Sequence, residues 1–255
     1  MIAGGTDLLL DLDDGRLAPS RVVSLRRLPW RTLDWNGSQL IVGSTLPLRA
    51  LEQDPDLPRR MPALFQAVRA VGGVALRHRA TLGGNLVRSA PASDFLPVLL
   101  ALDAEVDIVG PHGERRVLVD RFIRASRQVD LTPGELVRSV RFPEARPSVY
   151  LWQRVRPAND ISQVAVALAF SPAERQWRVA VGGVSPRPSL VHEAAQALGS
   201  GRPAAAAIEH AARLAGDTSG FVTDRRASVE YRRHLVRTLL ARAVVEVVSQ
   251  GEFPP

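Results

Sequence analysis

The sequence predicts an α+β protein built as two successive units, and three observations carry that prediction. The order of its predicted strands and helices suits α+β lobes, with strands paired through turns, and does not suit a doubly wound parallel sheet. A proline-bounded stretch, Pro143–Pro147, separates a mixed N-terminal part from a second part in which strands come first and helices last. Two glycine-paired segments, Ala3-Gly4-Gly5-Thr6-Asp7 and Thr81-Leu82-Gly83-Gly84-Asn85, have neither Rossmann nor Walker spacing, and the chain contains no lysine.

The elements follow from local patterns. Arg21–Leu25 and Gln39–Val42 are short β-branched runs between turn residues and read as strands, with an Asn36-Gly37 hairpin signal between them. Met61–Val71 reads as a helix: Pro62 falls in its first turn, Leu64, Phe65, Val68 and Val71 share a face, and Gly72 is the stop. Phe95–Leu102 reads as a second helix, with Pro97 tolerated in its first turn. Glu105–Val109 and Arg115–Val119 read as strands around the turn Gly110–Gly113, and Leu136–Phe142 alternates and ends at Pro143. In the second unit, Tyr150–Arg154, Val164–Phe170 and Trp177–Val181 read as antiparallel strands, the last two joined by Ser171–Arg175. Two helices close the chain. Ala204–Leu214 is expected to stop at Gly216. Val229–Val248, with Leu235, Leu239, Leu240, Ala243, Val247 and Val248 on one stripe, is expected to stop at Gly251.

Composition narrows the function. A chain of 255 residues can bury a real core. No window approaches the roughly 18 unbroken apolar residues of a membrane span, and no secretory signal opens the sequence, so the expected location is cytoplasmic. There is no cysteine, which excludes disulfides, thiolate metal sites and cysteine-ligated iron–sulfur clusters in this chain. All 33 basic residues are arginine and the net charge is +7, a balance that can attract nucleic acid, an acidic cofactor or an acidic subunit. The arginines are scattered and aromatic residues are only 5%, so no basic helix or stacking platform argues for nucleic acid.

The two diglycine segments carry the chemistry. Adjacent residues without Cβ can turn several backbone N–H groups toward one anion and let it approach the main chain. Thr6 adds a hydroxyl, and Asp7 can brace its loop by accepting backbone N–H bonds. Thr81–Asn85 repeats the recipe, although either segment alone is also an ordinary glycine turn. Together they suggest one ligand with two phosphates. Asp94 either accepts from sugar hydroxyls or caps the helix beginning at Phe95.

These residues reach a family resemblance. AGGTDLL (3–9), TLGGNL (81–86), APASDFLP (90–97), GELVRSVRFP (134–143), VAVGGVSPRP (179–188) and TDRRASVEYRRHLVRTLLARA (223–243) resemble, in order and spacing, the flavin-binding medium subunit of the molybdenum hydroxylase family, which includes carbon monoxide dehydrogenases and xanthine dehydrogenases. The resemblance spans essentially the whole chain. It implies a vanillyl-alcohol-oxidase-like FAD-binding domain over 1–145, with lobes of about 1–50 and 51–145. A C-terminal domain of antiparallel sheet and helices would cover 148–253. It further implies FAD as cofactor, with the pyrophosphate held by Ala3, Gly4, Gly5, Thr6 and Asp7 on one side and Thr81, Gly83, Gly84 and Asn85 on the other. Ser93 and Asp94 match a nucleotide-contacting pair, and Leu136 and Val137 match apolar residues near the adenine. Arg154 and Arg156 are expected beside the flavin ring, with Trp152 where many relatives carry a lysine.

The implied partners are a molybdopterin-binding large subunit and an iron–sulfur small subunit. NAD or another acceptor would take the electrons, and neither nucleic acid nor membrane is involved. Two departures stand out. Only Met1 and Ile2 precede the first glycine pair, where the family carries an opening strand and helix, so the first lobe is expected to be truncated. Ala80 replaces a glycine. The competing readings are a self-contained flavin oxidase of the same fold and a degenerate assembly subunit without flavin.

Other features read as structural. Asp11–Gly15 has acid spacing unlike a calcium loop and reads as an exposed turn. The five histidines lack metal-ligand spacing, and His78 either faces the flavin or faces solvent. Arg156 and Asp160 form either an ion pair lining the flavin pocket or a structural pair between lobes. Asp224–Arg233 reads as the solvated start of the last helix.

Overall fold

The computed structural model describes residues 1–156, 160–251 and 253. In chain order the first unit runs through α1 (Leu8–Asp13), β1 (Leu33–Asn36), β2 (Gln39–Gly43), α2 (Leu48–Glu52), α3 (Leu57–Arg60), α4 (Pro62–Ala70), α5 (Val74–Arg77), α6 (Leu82–Arg88) and α7 (Phe95–Ala101). It continues with β3 (Glu105–Gly110), β4 (Gly113–Leu118), α8 (Val119–Phe122), β5 (Ile123–Ala125), β6 (Gln128–Val129) and β7 (Leu136–Phe142). The second unit holds β8 (Ser148–Gln153), β9 (Val164–Ser171), β10 (Gln176–Gly182), β11 (Ser189–Leu190), α9 (His192–Ala197), α10 (Ala205–Asp217) and α11 (Val229–Ser249).

The first unit is organised by an antiparallel sheet in the order β1-β2-β7-β3-β4, and the second by an antiparallel sheet in the order β11-β10-β9-β8. The hairpin at Asn36-Gly37 joins β1 to β2, pairing Asn36 with Gln39 and Trp35 with Leu40. A two-residue turn must be flanked by its own strands, so the partner of β2 lies immediately before the turn. Arg21–Leu25 forms no strand of its own. It contributes a single parallel bridge between Ser24 and Ile2, with Ile2 N–H donating to Val23 O at 2.8 Å.

The second sheet divides the molecule's core. Every residue of β9 is buried. Its alanines, Ala165, Ala167 and Ala169, face a core shared with α4 and α7, while Val164, Val166, Leu168 and Phe170 face a core shared with α11. Small side chains on one face let α7 approach closely, and Pro97 of α7 would lie 3.0 Å from a Cβ at Gly182 of β10. The units are therefore packed through a sheet that belongs to both.

Several expected boundaries move. Gly216 does not stop α10, which runs through Asp217. A Cβ there would fall 2.6 Å from Arg237 Cγ and 3.1 Å from Arg233 O, so this glycine is where α10 and α11 cross. Helix α9 adds a third helix to the second unit. Of the expected exposed turn Asp11–Gly15, Asp14 and Gly15 form an exposed turn, while the first three residues close α1 with Asp11 buried. Nor is the start of α11 wholly solvated. Arg232 is 1% exposed, donates to Gln163 O at 2.7 Å and to Gly183 O, and pairs with Asp224 at 2.5 Å. A buried guanidinium needs such acceptors, and the surrounding carbonyls and carboxylate supply them to its two terminal nitrogens. Ser228 caps α11 by accepting from Tyr231 N–H at 3.2 Å.

Candidate functional site

The two diglycine segments meet. A Cβ placed on Gly4 would lie 2.0 Å from Arg79 O and 3.2 Å from Ala80 Cα, so the first segment rests directly on the main chain entering the second. Arg79 reaches back, with Nε and Nη2 each 3.4 Å from Gly4 O. Only a residue without a side chain permits this approach.

The second segment is a helix start rather than a loop. Thr81 is the N-cap of α6, its Oγ1 accepting from Gly84 N–H at 3.0 Å. Gly83 and Gly84 lie in the first turn, where the N–H groups of Leu82 and Gly83 have no partner within the helix. Gly83 is pressed against β2's exit, since a Cβ there would fall 2.5 Å from Ser44 Cβ. A Cβ on Gly84 would meet only Thr81 Oγ1. The Ser44 and Thr45 hydroxyls are buried without a hydrogen-bond partner among the described residues. A glycine cradle closed on one side, open at Gly84 and bordered by orphaned hydroxyls fits an anionic group such as a pyrophosphate.

One arginine ties the two glycine elements together. Arg88, at the end of α6, pairs with Asp11 of α1 at 2.6 Å and approaches Asp7 at 3.5 Å. Asp7 itself makes no side-chain cap bond to α1. The Arg88 hydrogen bond, with smaller help from Arg16, holds the Asp11 carboxyl below its usual value against the opposing effect of burial. Sequence reasoning missed both Arg88 and Asp11. No local pattern signals this pair, because Asp11 and Arg88 lie 77 positions apart.

Asn85 continues the cluster. Its Oδ1 accepts from Ser93 Oγ at 2.5 Å, and Ser93 Oγ accepts from Phe95 N–H at 3.2 Å. Ser93 thereby does the capping expected of Asp94, which makes no cap bond. Asp94 Oδ1 instead accepts from Tyr150 Oη at 2.6 Å, Arg154 Nη2 at 2.6 Å and Ser162 Oγ at 3.0 Å. Leu136 and Val137 open β7, where Ser44 N–H donates to Arg138 O at 2.9 Å, so they border the Ser44–Gly83 contact.

The two arginines expected at the flavin ring differ. Arg154 is buried, donating to Ser162 Oγ at 3.1 Å, Ala70 O at 2.9 Å and Asp94. Its charge is neutralised within the protein. Arg156 is exposed and lies 3.6 Å from Asp160, four positions further along the chain. That pair is local and does not bridge the lobes. Asp160 accepts the backbone N–H groups of Arg156 and Ile161, which with the Arg156 charge hold its carboxyl below the usual value. Trp152 stacks on Tyr150 with centroids 5.2 Å apart, and Arg154 Cζ lies 5.4 Å from its ring. His78 is exposed. Its neighbour Arg77 is buried, pairing with both oxygens of Glu52 and donating to Gly72 O at 2.8 Å. Among the described residues no three His, Asp or Glu side chains are grouped to hold a metal, and no helix is long and apolar enough to cross a membrane.

Comparison with known proteins identifies the family. Residues 1–145 match the family of the FAD binding domain in molybdopterin dehydrogenase, and residues 150–247 match the CO dehydrogenase flavoprotein C-terminal domain. The chain is 28% identical over 251 residues to the nicotine 6-hydroxylase medium subunit of Paenarthrobacter nicotinovorans, covering 96% of this chain and 88% of that one. It is 29% identical to a putative xanthine dehydrogenase FAD-binding subunit of Escherichia coli K12, covering 98% and 88%. The fold superposes on a chain of the Cu,Mo-CO dehydrogenase with a TM-score of 0.90 at 22% identity, covering 98% and 90%. Matched over residues 1–145 by the first of these models, the chain belongs to the family of FAD-binding domains of molybdopterin dehydrogenases.

Proposed function

We propose that this chain is the FAD-carrying electron-transfer subunit of a cytoplasmic molybdenum hydroxylase complex. FAD supplies the redox chemistry when bound, accepting and releasing electrons; the chain's own residues bind and orient it. The observation that supports this reading is the contact of Gly4 with the Arg79–Ala80 main chain, which brings the first glycine segment against the entry to the second. Gly4, Gly5, Thr6 and Asp7 would line one side of the pyrophosphate. Thr81, Gly83, Gly84 and Asn85 would line the other, and Asp94 would take a sugar hydroxyl. The first unit would form the two lobes of a vanillyl-alcohol-oxidase-like domain.

Substrate oxidation would occur on a molybdopterin-binding large subunit, with iron–sulfur clusters on a small subunit delivering electrons. The absence of cysteine from this chain agrees with clusters residing elsewhere. The acceptor, NAD or another oxidant, would approach near Arg156, whose guanidinium is exposed.

The test is purification of the full chain and titration with FAD. Stoichiometric binding without turnover of small organic substrates is the expected result. Failure to bind FAD would leave an assembly subunit, and turnover by the chain alone would make it a self-contained oxidase.

A further inference from the structure

We propose that Tyr150, Arg154 and Ser162 of the second unit are positioning residues for the cofactor, acting through Asp94. This inference rests on the FAD reading above. Asp94 stands at the N-cap position of α7, yet it is spared that task because Ser93 Oγ serves Phe95 N–H. Its Oδ1 instead takes three donors, all from β8 and the segment leading into β9. No described residue donates to Oδ2, and the side chain retains 11% exposure. The carboxylate is thus fixed by one oxygen and left with the other to offer.

The donors are themselves held. Arg154 is anchored on Ala70 O and Ser162 Oγ, and Tyr150 is fully buried beneath Trp152. Burial, together with the Asp94 charge, pushes the Tyr150 phenol well above its usual value, so it stays protonated and donates. On the other side, Asn85 and Ser93 link the same turn to the first turn of α6. Two hydrogen-bonded groups, one from Asn85 to Ser93 and one from Asp94 to the second sheet, are therefore joined through the Ser93–Asp94 peptide. A carboxylate locked in one rotamer by three donors binds a diol with less ordering cost than a free one. The sugar hydroxyls of the adenosine half are the ligand groups this oxygen would take.

The test measures affinity of the full chain for FAD, for ADP, and for 2′,3′-dideoxy-ADP. Wild type is compared with Y150F, S162A and D94N. Phenylalanine keeps the stacking on Trp152 and removes only the hydroxyl. Y150F and S162A are expected to weaken FAD and ADP about tenfold, while leaving dideoxy-ADP within about twofold of wild type. D94N is expected to show the same pattern more strongly. Equal weakening of ADP and dideoxy-ADP, or loss of thermal stability with affinities unchanged, overturns the proposal and leaves the FAD reading standing. A wild-type chain that binds none of the three ligands removes the FAD reading, and this inference with it.

Discussion

At the scale of single residues, the glycines of the two diglycine segments differ in what they protect. Gly4 is a close-approach glycine, since a methyl there would collide with the Arg79 carbonyl, which as backbone cannot swing away. Gly4→Ala should cost about 1–3 kcal/mol of stability by overpacking, and should abolish FAD binding by parting the two segments. Gly84 faces open space apart from Thr81 Oγ1. Gly84→Ala should leave the melting temperature near wild type, because alanine favours the helix by up to about 1 kcal/mol. It should still weaken FAD binding by filling the cradle. Thermal melts with parallel FAD titrations separate the cases, and a Gly84→Ala protein that binds FAD normally would remove Gly84 from the site. Glycine pairs are visible in the sequence, but the neighbours that Gly4 and Gly83 must avoid, Arg79 and Ser44, lie far from them in the chain.

At the scale of elements, buried charge holds the first sheet together. Asp107 on β3 accepts from Ser139 Oγ at 2.6 Å and Arg141 Nε at 2.6 Å on β7, and from Arg116 Nε at 2.8 Å on β4. Burial pushes its carboxyl up, but the hydrogen bonds from Ser139, Arg116 and Arg141 outweigh this and hold it below the usual value. A depressed carboxylate contributes stability that is complete above the unfolded value of about 4 and vanishes as pH falls through the folded one. Asp107→Asn should therefore cost about 2 kcal/mol at pH 7, with the difference from wild type shrinking below pH 4. Urea unfolding across pH 2.5–7 would show it, and a difference that stays constant with pH would sink the idea. The strands β3, β4 and β7 were legible from alternation and turn residues. The helical state of Thr81–Asn85 was not, because Gly-Gly carries poor helix propensity that masks the local Thr81 cap, and the Ser44 contact against Gly83 is tertiary.

At the scale of the molecule, the second sheet makes the two units interdependent. Its alanine face closes the first core and its larger residues close the second, so the first unit alone lacks a complete core and the second unit alone leaves the buried alanine face of its sheet uncovered. The full chain should melt in one calorimetric transition. FAD at about 100 times its Kd should raise the stability of that whole transition by about 2.7 kcal/mol. Ala167→Leu, which overfills the shared face, should lower the same transition by about 1–3 kcal/mol. Two separate transitions, only one of them shifted by FAD, would show that the units fold independently.

By itself the sequence determined the α+β class, most strands, the long helices, and the pair of glycine segments with their family resemblance. These depend on local periodicity and turn chemistry, which neighbouring residues encode. Only the tertiary structure decided that Asp94 is held by Tyr150, Arg154 and Ser162, that Arg154 is a neutralised internal charge, that Arg88 clamps α1 to α6, and that Gly216 is a helix crossing. Each of these turns on which polar groups share a buried space. Burial makes an unpaired charge costly, so the partner a side chain takes is fixed by what the fold brings within reach and not by its neighbours in the chain.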